Sequence, residues 1–99
     1  MSDDSSLQAR RIVVSGVVQG VGYRWNMVQQ AQRLGLLGWV RNRRDGSVEA
    51  VAQGSSEMLV TLIAWSRIGP AGARVDHVHV EQESLADDTL KDFVQRATA

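Results

Sequence analysis

Apolar residues in this sequence recur with two different spacings, and the order in which those spacings alternate leaves few folds open. Ile12 to Val18 is a β-branched run broken only by Ser15 and Gly16, as in a strand. Gln19-Gly20-Val21-Gly22 interrupts it. From Tyr23 a helical period takes over, with Tyr23, Met27, Ala31 and Leu34 on one stripe, Val28 beside it and Gly35 as a C-cap. Gly38 to Asn42 and Ser47 to Gln53 read as two strands joined at Asp45-Gly46, a strong hairpin signal. Gly54-Ser55-Ser56-Glu57 opens a second helix, with a serine to cap it and an acid in its first turn. Met58, Leu59, Leu62, Ile63 and Trp65 form its inner stripe, and Gly69-Pro70 ends it. Val75 to Glu83 alternates again, with Val78 and Val80 on one face and His77, His79 and Glu81 on the other. A polar connection, Leu85 to Asp92, leads to a short last strand, Phe93 to Arg96.

The order β-α-β-β-α-β, with a possible fifth strand, predicts an α+β fold of the ferredoxin-like, split-βαβ kind. Two helices then cover one face of an antiparallel four- or five-stranded sheet. Met1 to Gln8 reads as a flexible tail, and residues 9–99 as one domain, since 99 residues suffice for a single core.

Composition removes several functions. There is no cysteine, so thiolate metal sites and cysteine nucleophiles are excluded. Eleven basic residues balance eleven acidic ones, which speaks against general nucleic-acid binding. RNA-recognition domains share this element order but place stacking aromatics on the third strand, and Ser47 to Gln53 has none. No apolar stretch approaches the ~20 residues that span a bilayer, and Met1 to Ser6 lacks the basic start of a signal peptide. A monomeric cytoplasmic protein without nucleic-acid or membrane partners is the expectation. The neutrality is uneven: the first 50 residues hold seven arginines against four acids.

The segment richest in chemistry runs from Gly16 through Gln19, Gly20, Val21, Gly22 and Tyr23 to Arg24. It joins a strand to a helix. A helix N-terminus offers unpaired N–H groups and a partial positive charge, and both favour an anion. Glycines let successive N–H groups turn inward, and an arginine in the first turn adds a forked contact. A phosphate cradle is one reading; a tight strand-to-helix turn is the other. No Gly-Lys-Ser/Thr follows, so it is not a Walker loop, and a dinucleotide fingerprint would need a third glycine at position 25.

This segment resembles the signature of the acylphosphatase family, Gly-x-Val-Gln-Gly-Val-x-aromatic-Arg, with Tyr23 as the aromatic. A second family pattern, Gly-x-Val-x-Asn-x-x-Asp-Gly-x-Val, is met by Gly38, Val40, Asn42, Asp45, Gly46 and Val48. Val75-Asp76-x-Val78 and Phe93 fit as well, so the resemblance covers about residues 10–96. It implies hydrolysis of a carboxyl–phosphate mixed anhydride without metal, cofactor or phosphoenzyme. Arg24 and the backbone N–H groups of Gln19, Gly20, Val21, Gly22, Tyr23 and Arg24 would bind the phosphate, and Asn42 would orient the attacking water. Read without the resemblance, Asn42 is an ordinary strand-end residue beside a turn.

Other candidates are weaker. His77-x-His79 has a chelating spacing but no third ligand. Arg41, Arg43 and Arg44 read as a solvated charge run that can steer anions. Trp39 and Trp65 read as packing residues, and Trp25 as partly exposed near the turn. Asn26 stands where relatives carry an apolar or aromatic residue, so it bears on the rim of the site or on helix packing. A non-catalytic phosphate or carbamoyl-phosphate binding module, similar to the acylphosphatase-like domain of larger maturation proteins, is the alternative from another functional class.

Overall fold

The computed structural model describes residues 6–86 and 90–99. The elements run β1 (Leu7–Val17), α1 (Tyr23–Arg33), β2 (Leu37–Asn42), β3 (Val48–Ser55), α2 (Ser56–Ser66), β4 (Arg74–Glu83) and β5 (Phe93–Gln95). One sheet carries the strands in the order β4-β1-β3-β2-β5. Ile12 and Val14 of β1, Val40 of β2 and Val48, Ala50 and Ala52 of β3 face Tyr23, Met27 and Ala31 of α1 and Leu59 and Leu62 of α2. These residues make the core, and the two helices lie on its one side. No helix is long and apolar enough to cross a membrane among the described residues.

The expected antiparallel sheet is antiparallel through its first four strands and parallel at the fifth. Phe93, Val94 and Gln95 pair with Gly38, Trp39 and Val40 in parallel register. Strand order explains this: β4 and β5 occupy opposite edges. Through the pairings of β1, β3 and β2, β5 runs against β4. Since β2 also runs against β4, β5 must run along β2.

Strand β1 begins earlier than expected. Leu7 and Gln8, read as tail, pair with Ser55 and Gly54 of β3; the rest of that expected tail, residues 1–5, lies outside the described residues. Within this early stretch, Arg11 is paired across the sheet with Glu49 of β3 and Glu83 of β4. Glu49 is buried on the helix-free face, where Arg41 also binds it at 2.8 Å. Arg41 is therefore part of an ion-pair network, not of a solvated run. On the same face the Trp39 ring lies under the guanidinium groups of Arg41 and Arg96, 4.7 and 4.9 Å from its centroid. Trp65 packs against Tyr23 at 5.2 Å between ring centroids, as a packing residue should.

Candidate active site

The turn between β1 and α1 is built from left-handed backbone. Gly20 and Gly22 have φ of 75° and 79°, a region that a Cβ makes costly. Gly22 is the N-cap of α1 and brings no side chain to satisfy the first-turn N–H groups, and the first turn holds no acid. The other helix differs on both counts: Ser55 Oγ accepts from the Met58 N–H, and Glu57 occupies the first turn. The same physics that completes α2 internally is thus left open at α1, where an anion would complete it.

Arg24, half-buried in that first turn, adds the permanent positive charge. A cavity of about 120 Å³ opens here, lined by Val18, Gly20, Gly22, Tyr23, Arg24, Trp25 and Gln95. Four residues of the expected cradle therefore meet in one concavity. Val21 packs partly into the core. The Asn26 side chain donates to the Gly22 carbonyl at 2.8 Å and stays on its own helical turn.

Tyr23 is a side-chain anchor as well as a backbone member. Its hydroxyl donates to the Ser66 carbonyl at 2.7 Å, at the end of α2. Burial pushes its hydroxyl ionisation far up, and the bond to Ser66 offsets this only in part. The phenol stays neutral and ties the start of α1 to the neighbouring helix.

Gln19 does more than its backbone was expected to do. Its Nε2 donates to the carbonyls of Arg43, at 2.8 Å, and Ser47, at 2.9 Å. Those two residues close the β2–β3 hairpin, where the Arg43 N–H also donates to the Ser47 carbonyl. Asp45 caps the turn: its Oδ1 accepts from the Ser47 N–H and hydroxyl at 2.9 and 2.6 Å. Those bonds hold the Asp45 carboxyl below its ordinary range.

Asn42 ends β2, opposite Val48. It lies outside the lining of the cavity and is joined to the cradle through its neighbour Arg43 and Gln19. Its own carbonyl accepts from the Ala99 N–H at 3.0 Å, and Arg44 donates to the Ala99 carbonyl at 2.9 Å, so the C-terminal segment braces the hairpin. Its Oδ1 is buried and has no hydrogen-bond partner among the described residues. Buried side-chain oxygens are nearly always paired, so this one marks a place where a further donor belongs.

Sequence reasoning missed Gln95. Alternation places it on the same strand face as Phe93, but only the parallel pairing with β2 brings it to the start of α1. His77 and His79 lie exposed on β4, and His79 Nε2 is 3.1 Å from Glu81 Oε2. Among the described residues no three His, Asp or Glu side chains cluster as a metal site.

The acylphosphatase family model matches residues 10–95. An acylphosphatase of Bifidobacterium longum is 48% identical over 94% of this chain and 96% of its own length. The structure of an acylphosphatase from Coxiella burnetii superimposes with a TM-score of 0.85 at 37% identity, covering 91% of this chain and 93% of that one. Full-length HypF in its phosphate- and nucleotide-bound form gives a TM-score of 0.85 at 26% identity, but this chain matches only 12% of its length. With the family model spanning nearly the whole chain and a close relative matched end to end, the chain belongs to the acylphosphatase family, enzymes that hydrolyse acyl phosphates.

Proposed function

We propose that this protein hydrolyses acyl phosphates by direct attack of water on phosphorus, without metal, using the β1–α1 turn, Arg24 and Asn42. The observation that carries the reading is the open N-terminus of α1: two left-handed glycines, no side-chain cap, no acid and an arginine in the first turn. In it the backbone N–H groups from Gln19 to Arg24 and the Arg24 guanidinium bind the phosphoryl oxygens. Both donors are fixed before substrate arrives, so they stabilise the charge of the transition state with little reorganisation. Arginine suits the task because its planar fork matches two phosphoryl oxygens and never loses its charge.

The leaving group is a carboxylate, a weak base that departs without a strong general acid. Phosphoryl transfer then depends mainly on positioning and electrostatics. Asn42 supplies the positioning. Its unpartnered Oδ1 accepts a hydrogen bond from water and aims a lone pair at phosphorus; an amide does this without titrating. The proton released by the water passes to the substrate phosphate. Gln19 fixes the distance between the two halves, because its amide links the cradle to the hairpin that follows Asn42. The same reading takes the enzyme to be a cytoplasmic monomer that needs no cofactor.

The test is hydrolysis of acetyl phosphate by the purified protein with a chelator in excess. Turnover well above the spontaneous rate is expected. Folded protein that binds phosphate but leaves acetyl phosphate intact contradicts the reading and favours a phosphate-binding module.

A further inference from the structure

The cavity beside Arg24 is small for a site that encloses a ligand. Its volume is about 120 Å³, whereas pockets that enclose drug-sized ligands measure roughly 300–1,000 Å³. A bound phosphoryl group occupies the end formed by Gly20, Gly22 and Arg24, so the acyl group must leave over the remaining lining. Three lining residues lie outside the phosphate-binding set: Val18, which is buried in the core, and Trp25 and Gln95, which are not. Trp25 follows Arg24 on α1 and is 59% exposed, an unusual state for so large a ring. Gln95 comes from β5, a different element, and is also exposed.

We propose that Trp25 and Gln95 form the acyl-group subsite and that it favours acyl phosphates with a flat, apolar acyl group, the aroyl phosphates. The inference rests on the hydrolytic reading above and adds to it the feature of the substrate that is selected. An aromatic acyl group stacked on the exposed indole removes apolar surface of both partners from water, and aromatic pairs gain beyond that area. Gln95 adds a second planar group, an amide whose face packs on a ring and whose edge remains hydrated. A two-carbon acyl group offers little apolar surface to stack on the indole. Cradle donors contact phosphate alone and are blind to this difference, so discrimination falls to these two residues.

The experiment compares kcat/KM for benzoyl and acetyl phosphate in the wild-type protein, Trp25→Ala, Trp25→Phe and Gln95→Ala. Inhibition by inorganic phosphate and the melting temperature are recorded for each. The benzoyl-to-acetyl ratio is expected to fall by about three- to tenfold in Trp25→Ala, as loss of one aromatic pair implies. Gln95→Ala is expected to lower it by a smaller factor, and Trp25→Phe to retain most of it. Phosphate inhibition should move by less than the ratio does, which a general loosening of the cradle would not allow. A ratio in Trp25→Ala or in Gln95→Ala equal to that of wild type overturns the subsite while leaving the hydrolytic reading intact. Wild-type protein that turns over neither substrate overturns both.

Discussion

The Gln19 side-chain amide lies 2.8 Å from the carbonyl oxygen of Arg43 and donates to it, so the β1–α1 turn is fastened to the residue next to Asn42. The bond spans 24 positions of sequence and is seconded by the bond to Ser47. Gln19→Ala removes both donors at once. A stability loss of about 1–2 kcal/mol is expected from the two lost hydrogen bonds, since each carbonyl keeps one backbone donor. Turnover is expected to fall as well, because cradle and hairpin no longer hold one separation. Denaturant unfolding and kcat on acetyl phosphate check the two effects; loss of neither would detach Gln19 from the site.

The Tyr23 hydroxyl serves anchoring rather than chemistry. Tyr23→Phe leaves the ring against Trp65 and removes only the bond to the Ser66 carbonyl. A cost of about 1 kcal/mol is expected in chemical denaturation, the ordinary value for one buried hydrogen bond. A cost near zero would mean that the Ser66 carbonyl is satisfied without the phenol.

Glu49 is held by Arg11 on one side and Arg41 on the other while almost fully buried. Glu49→Ala leaves Arg41 without its carboxylate on the helix-free face and Arg11 with Glu83 alone. Both are roughly a third exposed, so solvent softens the penalty, and a loss of about 2–3 kcal/mol is expected. The melting temperature measures it. An unchanged value would assign the network no role in stability.

The hairpin turn carries a pH dependence whose sign follows from Asp45. Its carboxyl is held below the ordinary range, first by the bond from the Ser47 hydroxyl and then by the Ser47 backbone N–H. A carboxyl lowered in the folded state contributes stability above its unfolded pKa, about 3.9, and loses it as pH falls through the folded value. Asp45→Ala should therefore melt below wild type at pH 7, and the two should converge as the pH is lowered well past the ordinary carboxylate range. A gap that persists at the lowest pH would show that the charge is not what Asp45 contributes.

The fate of solvent oxygen follows from water attack at phosphorus. Hydrolysis in ¹⁸O-labelled water is expected to place the label in inorganic phosphate and leave the carboxylate unlabelled. Label in the carboxylate, read by mass spectrometry, would mean that the acyl carbon is attacked instead.

Much of this was legible in the residues, for identifiable reasons. The change of period at Gln19–Gly22 and the Asp45-Gly46 turn are local signals, and both occur where they were read. The Gly20 and Gly22 conformations follow from glycine itself. What escaped was non-local. Leu7 and Gln8 were read as tail, and their pairing with Ser55 and Gly54 lies across the sheet, like the ion pairs of Arg11 with Glu49 and Glu83. The parallel sense of β5 depends on which edge of the sheet was free, which no window of sequence records. Gln95 reaches the cavity only because of that pairing, and the amide of Gln19 finds its acceptors across the fold.

The measurement closest to the central claim separates binding from turnover at Asn42. In Asn42→Ala, kcat for acetyl phosphate is expected to fall by about 10²–10³-fold, the scale for losing one preorganised polar group at a reacting centre. The inhibition constant for inorganic phosphate should stay within about twofold of wild type, since the proposal gives the amide the attacking water and the cradle the anion. Weakened phosphate inhibition with kcat preserved would contradict the account, because it would make Asn42 part of the cradle and leave the attacking water without its positioning group.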